Sequence, residues 1–461
     1  MTRPDISRVQ ALLDDRLAED RHLSLAKREQ LLKRLKQMLI EQEDVFLQSL
    51  QADLHKSAVE AYTSELAVVL NEIDYVLAHL KRWLKPDRSY HVKLGFIEKI
   101  ESVRQPYGTV LVLSPWNYPL QLALMPVVSA LAAGNACVIK PSELAPQTSA
   151  ALTEAIADYF SPSQVLAVTG DASMAQALIA LQFDLIFFTG GQTTGQKVYR
   201  QAAEQLTPVV LELGGKNPCV MDETGFSEQA IQEIVWGKFL NAGQTCIAPD
   251  TLFVPESLYD QTLALLKKVI IDFYGHQAGS SPDYGRLIHT RHLDRLRDCL
   301  TEGTIYYGGE VDRDQLLLTP TILTDLPRDA AVRSEEIFGP ILPVIPYTDL
   351  ESLVKGTELQ KDGLVAYVFS TDDRTIQLAQ QEMKSTVSVN QVIHHAANPH
   401  VPFGGIGRSG FGVSHGKAGF AECSFEQTYY RAYHYKHLSQ KYPGAPTQNL
   451  GLIKRFRKWL F

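Results

Sequence analysis

From Val103 onward the chain repeats a pattern that few folds accommodate: a short strand that is apolar at every position, then a turn, then a helix. Val110-Leu-Val-Leu113 is followed by a helix over Leu120 to Ala133 that stops at Gly134-Asn135. Ala136-Cys-Val-Ile139 is followed by a helix over Ser149 to Phe160, and further strands fall at Gln164 to Val168 and Leu185 to Phe188. A strand with no polar face has no water-facing side, so the run predicts a parallel sheet covered by helices on both faces. A second α/β region starts near Thr207, carries an amphipathic helix over Ser227 to Leu240, and ends in strands at Leu364 to Ser370 and Thr386 to Asn390. Residues 1–85 read as helices, with Leu31, Leu32, Leu35, Met38 and Leu39 on one face and Leu66, Val69, Leu70, Ile73, Leu77, Leu80 and Leu84 on another, until Pro86.

At 461 residues the chain is too long for one ordinary core. A net charge of −8 gives no electrostatic reason to bind nucleic acid. No run reaches the roughly 18 apolar residues needed to span a bilayer, and Met1-Thr-Arg-Pro-Asp5 lacks the apolar core of a signal peptide. The five cysteines, Cys137, Cys219, Cys246, Cys299 and Cys423, are odd in number and contain no Cys-x-x-Cys pair. That argues against a disulfide framework and a zinc site, and for reduced thiols in the cytoplasm.

In open parallel sheets ligands sit beyond the carboxyl ends of the strands, where Asn117, Lys140, Glu143 and the turn from Thr189 to Gly195 fall. The literal Gly-x-Gly-x-x-Gly, Gly405 to Gly410, follows no clear strand and opens no helix. The better phosphate candidate is Thr189-Gly190-Gly191-Gln-Thr-Thr-Gly195, between a strand and a helix expected over Gln196 to Ala203. Its glycines would let backbone approach a pyrophosphate at a helix N-terminus; a plain tight turn is the alternative. Lys140 and Glu143 could bind a ribose or simply form a solvated pair. Together these segments favour a dinucleotide.

Phe239-Leu-Asn-Ala-Gly-Gln-Thr-Cys246 places a cysteine in a loop just past a helix end. A cysteine nucleophile needs thiolate character, a proton acceptor and donors for an oxyanion. Glu212, at an apolar strand end, is either a base whose pKa burial has raised or a structural ion pair. Asn117, in Pro-Trp-Asn-Tyr-Pro, is either an oxyanion donor or a turn-stabilising side chain, and Cys246 itself either reacts or is a buried thiol.

Taken with Lys140-Pro-Ser-Glu143, Leu211-Glu-Leu-Gly-Gly-Lys216, Asn241-Ala-Gly-Gln-Thr-Cys246, Glu335-Glu-Ile-Phe-Gly-Pro340 and Pro402-Phe-Gly-Gly405, the Asn117 segment resembles the aldehyde dehydrogenase superfamily over nearly the whole chain. Cys246-Ile-Ala-Pro-Asp250, Trp236-Gly-Lys-Phe239 and His415-Gly-Lys417 point to its class 3 branch, the fatty and aromatic aldehyde dehydrogenases. The resemblance implies that Cys246 attacks an aldehyde, that Asn117 and the Cys246 N–H hold the oxyanion, and that Glu212 activates the water that hydrolyses the thioester. It implies that Lys140 and Glu143 contact the adenine ribose, Gly190 to Gly195 the pyrophosphate, Glu336 the nicotinamide ribose and Phe338 the nicotinamide. At Gly191 the family more often has a small polar residue. Glu143 favours NAD over NADP, although the branch is not strict and NADP stays open.

The expected architecture is therefore α/β and aldehyde dehydrogenase-like. It has a Rossmann-type dinucleotide-binding domain (residues 1–85 and 104–208), a catalytic domain (209–398), and bridging arms (86–103 and 399–437) that pair with a second copy in a homodimer. In the tail (438–461), Leu452, Ile453, Phe456, Trp459 and Leu460 share one helical face, with Lys454, Arg455, Arg457 and Lys458 elsewhere around it. That pattern suits an anionic membrane surface, a helix capping the substrate entrance or docking on the partner being the alternative. The expected reaction is NAD(P)-dependent oxidation of medium- or long-chain or aromatic aldehydes to acids, by a cytoplasmic enzyme in peripheral contact with membrane. A CoA-acylating enzyme and a non-catalytic relative are the competing readings.

Overall fold

The computed structural model describes residues 3–18, 23–93, 96–356, 359, 363–432, 443, 450–455 and 457. Five parallel strands form the first sheet: four are the apolar runs expected there, and the fifth, Val209–Leu213, comes from the stretch expected to open the second region. In spatial order they are Val209–Leu213, Leu185–Gly190, Thr109–Leu113, Ala136–Lys140 and Val165–Ala167, with Gly410–Phe411 added antiparallel at the edge. Thr109–Leu113, the first of these strands in the chain, lies mid-sheet, so the connections wind in opposite directions on its two sides. The crevice at that reversal is where an open α/β sheet binds ligands. The loops after Thr109–Leu113 and Leu185–Gly190 meet there.

The helix Gln121–Ala133 is buried on every side but its first residue, as expected of a helix apolar all round. The amino-terminal helices Leu25–Glu41 and Ala67–Trp83 pack on it through Leu32, Leu35, Met38, Val69, Ile73 and Leu80, all fully buried. A one-turn π-helical segment, Tyr62–Leu66, interrupts the approach to the second of these. Such insertions are frequent at functional sites, and this one carries Glu65 inward.

The second region forms a seven-stranded sheet. Its order is Thr304–Tyr307, Thr321–Thr324, Ile341–Tyr347, Thr251–Pro255, Pro218–Met221, Val365–Phe369 and Thr386–Val389, antiparallel only at the first pairing. A third sheet is antiparallel, Asp87–Lys93, Phe96–Pro106 and Ser424–Ala432. Of residues 399–437, Ser424–Ala432 joins that sheet, while the stretch from Phe403 to His415 folds back to the cleft between the two larger sheets. Leu450–Arg455 is helical with Lys454 and Arg455 exposed; the side chains of Leu452, Ile453, Phe456, Trp459 and Leu460, on which the membrane reading rests, lie outside the described residues. No described helix is long and apolar enough to cross a membrane.

Candidate active site

The helix Glu228–Phe239 ends in a backbone kink that aims Cys246. Asn241, Ala242 and Gly243 all take positive φ, at 54°, 51° and 74°. A non-glycine residue rarely adopts that region, and it persists only when its surroundings over-determine it. Here they do. The Asn241 N–H donates to Glu60 Oε1 at 2.8 Å, and its Nδ2 donates to the Asn117 carbonyl at 2.7 Å. The buried Gln244 side chain donates to the Asn241 and Arg286 carbonyls and accepts from the Ile288 N–H. A Cβ at Gly243 would stand 2.3 Å from the Gly339 carbonyl oxygen, so the loop closes tightly on the Glu336–Phe338 segment. Gln244 and Thr245 shape the loop, Thr245 through a 2.6 Å bond to the Tyr118 hydroxyl.

Cys246 is half-buried where two cavities meet. One, of about 220 Å³, is lined by Asn117, Thr189, Gly190, Gly191, Glu212, Glu336 and Phe338. The other, of about 240 Å³, is lined mainly by apolar side chains, among them Val68, Tyr118, Leu122, Trp236, Ile247 and Ile393, with exposed Thr63, His394 and Ala397 also on its wall. Leu122 and Phe403 line both. Burial raises the Cys246 pKa above that of an ordinary thiol, as do the Glu336 and Glu212 carboxylates, while its own N–H and that of Ile247 oppose the shift.

Glu212 stands at the end of its strand, 4 % exposed. It accepts from Ser414 Oγ at 2.5 Å and from Thr189 Oγ1 at 3.3 Å. Burial pushes its carboxyl up to about 7 against those two hydrogen bonds. Among the described residues it has no ion-pair partner. Asn117 is also buried; its Nδ2 donates to the Gln244 carbonyl at 3.1 Å, leaving a second N–H for the cavity. Behind it, Lys56 donates to the Asn117 carbonyl at 3.0 Å. Asp250 accepts from the Ile337 N–H and pairs with Lys216 at 3.2 Å and Lys238 at 3.8 Å, tying four sequence motifs together around one buried charge cluster.

The cofactor candidates divide. Glu336 accepts from the Gly215 N–H, burial raises its pKa to about 8, and its Oε1 is buried without a partner. A Cβ at Gly214 would stand 2.1 Å from Glu336 Oε2, so any side chain there would displace the Glu336 carboxylate. Phe338, at φ 53°, packs edge-on against Trp116. At Gly191, the N-cap of Gln192–Ala203, a Cβ would meet nothing within 4 Å, so a small side chain would also fit. The helix begins at Gln192, earlier than the sequence suggests. Gly195 is therefore inside it, and a Cβ there would lie 2.6 Å from Leu213: this glycine serves helix–sheet packing. Lys140 and Glu143 pair with each other at 2.6 Å, with Glu143 exposed, and neither lines the cavity at Cys246. The Gly405–Gly410 fingerprint is a sheet-edge turn in which Gly410 pairs with Glu212, too close to the Leu211 carbonyl for any Cβ. The unpartnered Glu336 oxygen, the open Gly191 and the unpaired first N–H groups of the helix fit a nicotinamide dinucleotide.

Sequence reasoning misses Ser414, Lys56, Glu65 and Glu60. Ser414 has no motif of its own, although it lies between Pro402-Phe-Gly-Gly405 and His415-Gly-Lys417. Glu60 and Glu65 sit on amino-terminal helical segments and Lys56 in the loop just before them, where a charge normally reads as solvated.

Residues 4–428 match the model of the aldehyde dehydrogenase family. The chain is 53 % identical to 4,4'-diapolycopene-4,4'-dial dehydrogenase of Cytobacillus firmus, over 88 % of this chain and 89 % of that one. It is 38 % identical to aldehyde dehydrogenase family 3 member A2 of Rattus norvegicus, over 86 % and 82 %. The solved structure of the substrate-bound state of Staphylococcus aureus AldH superposes with a TM-score of 0.92 at 36 % identity, covering 99 % of both chains. The chain belongs to the aldehyde dehydrogenase family, next to its class 3 members, and is an oxidoreductase acting on aldehydes with NAD or NADP as cofactor.

Proposed function

We propose that this enzyme oxidises long, apolar aldehydes, of the kind a linear polyene aldehyde represents, to carboxylic acids through a thioester on Cys246. The observation that carries the reading is the position of Cys246: one side opens to a cavity holding a buried carboxyl with a pKa of about 7, the other to an apolar channel. The Cys246 thiol releases its proton to solvent, and the thiolate sulfur attacks the carbonyl carbon of an aldehyde whose tail fills the channel past Leu122 and Trp236. The resulting oxyanion accepts from Asn117 Nδ2 and the Cys246 N–H. Nicotinamide, when bound, supplies the hydride acceptor; Glu336 would hold its ribose, Phe338 would flank its ring, Gly190 and Gly191 would admit the pyrophosphate, and Lys140 with Glu143 would meet the adenine ribose. Glu212 then takes a proton from water as its oxygen adds to the thioester, and the C–S bond breaks to return the thiolate and release the acid. A base with a pKa near the working pH suits this step.

Exposed Tyr90, Phe425, Tyr429 and Tyr430 on the three-stranded sheet support a homodimer joined through that sheet. The test of the activity is an aldehyde panel run with NAD and with NADP, following acid and NADH together. Preference for long or polyene aldehydes, lost in Cys246→Ala, supports the reading; equal or better turnover of short hydrophilic aldehydes overturns the substrate class. Formation of free acid without CoA excludes the acylating alternative.

A further inference from the structure

Glu212 is the end of a buried three-residue chain. Ser414 Oγ donates to its carboxylate at 2.5 Å and lies 2.8 Å from His415 Nδ1. A hydroxyl has one proton to give. With that proton on Glu212, the Ser414 oxygen can only accept from the imidazole, which requires the Nδ1–H tautomer.

The backbone is built for this contact. Ser414 is fixed by reciprocal N–H to carbonyl bonds with Phe403, at 3.1 and 2.7 Å. His415 adopts φ 73° and ψ 138°, a conformation that side chains other than glycine seldom take and that clusters at functional positions. The following Gly416 N–H is anchored on Glu72 at 2.7 Å. The ring is 5 % exposed, packs on Phe403 and lines the apolar channel; the Ala396 carbonyl is within its reach, but among the described residues its buried Nε2 makes no hydrogen bond of normal geometry. Among the described residues, the ring's one hydrogen bond of normal geometry is the 2.8 Å contact between Nδ1 and Ser414.

We propose that Ser414 and His415 are a positioning pair for the base: His415 orients the Ser414 hydroxyl, and Ser414 holds the Glu212 carboxylate in its charged, water-accepting form. The proposal rests on Glu212 acting as the base for thioester hydrolysis. The charged or titratable groups around the pair are Cys246 and Glu336 beside Glu212, and His395 and Glu72 beside His415.

Aldehyde and NAD are mixed rapidly with wild type, Ser414→Ala, His415→Gly, His415→Asn and Glu212→Gln, and NADH is followed from the burst into the steady phase across pH. Glycine suits the positive φ, so His415→Gly removes the ring without straining the fold. The expected result is a retained burst of about one NADH per chain, because hydride transfer precedes hydrolysis, with the steady rate lowered about tenfold or more, at the low end of what general acid–base groups contribute. His415→Asn, whose amide can donate to Ser414, returns to within about threefold of wild type, since the bond is restored. In Ser414→Ala the pH midpoint of the steady rate moves upward, because a donor favouring the charged carboxylate is gone. Wild-type steady rate and midpoint in Ser414→Ala and His415→Gly, while Glu212→Gln is slow, overturn the proposal and leave the base assignment standing. Loss of the burst in His415→Gly overturns it in favour of a packing role. An unaffected steady phase in Glu212→Gln overturns the base assignment itself.

Discussion

Lys56 Nζ and Glu65 Oε1 lie 2.5 Å apart with both side chains fully buried, directly behind the turn that carries Asn117. Lys56 also donates to the Asn117 carbonyl and covers the Tyr118 ring at 4.0 Å, and the other Glu65 oxygen accepts from the Leu120 and Gln121 N–H groups. Every donor and acceptor of the pair is used to fix that turn. Removing one member strands a buried charge, which costs about 3–5 kcal/mol. Glu65→Gln is expected to lower stability by that order in denaturant unfolding, whereas an unchanged midpoint would show the pair to be dispensable.

Asn117→Ala removes the proposed oxyanion donor. The expected loss in kcat is on the order of 10²–10³, with KM for aldehyde changed far less, because the developing charge is felt only in the transition state. Steady-state kinetics at saturating cofactor decide it.

Burial raises the carboxyls of Glu60, Glu72 and Glu212 to about 7 and that of Glu336 to about 8. A group whose folded pKa exceeds its unfolded value adds stability that is fully present below the unfolded value and lost as pH rises through the folded one. These four therefore favour the fold at acidic pH, their contribution fading as pH climbs through about 7 to 8. In Glu60→Gln the dependence of the melting temperature on pH between 5 and 8 should be flatter than in wild type.

The channel wall predicts a split between substrates. Trp236 stacks on His394, ring centroids 5.0 Å apart, and lines the channel that reaches Cys246. Trp236→Ala is expected to raise KM for a long apolar aldehyde by roughly tenfold, equivalent to about 1.4 kcal/mol of lost binding, and to leave a two-carbon aldehyde within about twofold. Equal effects on both would place the tail elsewhere.

Glu143 is exposed beside the end of its strand, paired with Lys140. A 2′-phosphate there would meet like charge, so Glu143→Ala should shift the kcat/KM ratio of NADP to NAD upward by on the order of tenfold, a typical surface Coulomb effect at short range. A ratio that does not move would remove this residue from cofactor selection.

Much of this protein is determined by its sequence alone. Strands apolar at every position have nowhere to go but between two layers of helices, so a covered parallel sheet with its ligands at the carboxyl ends of the strands follows from local pattern, whereas its completion by Val209–Leu213 and Gly410–Phe411 does not. Cys246, Asn117, Glu212, Glu336, Phe338 and Gly190-Gly191 converge on one cavity because each ends a strand or fills a loop on that same edge. What pattern could not supply is environment. Glu212 owes its raised proton affinity to burial, held in check by the hydrogen bond from Ser414, 202 residues away; the Cys246 loop owes its left-handed turn to Glu60, 181 residues from Asn241; Gly195 proves to be a packing contact once Leu213 lies across it. Chain periodicity reports which side of an element avoids water. Proton affinity and strained backbone are set by whatever distant groups fill the remaining space, and only the tertiary structure brings those groups together.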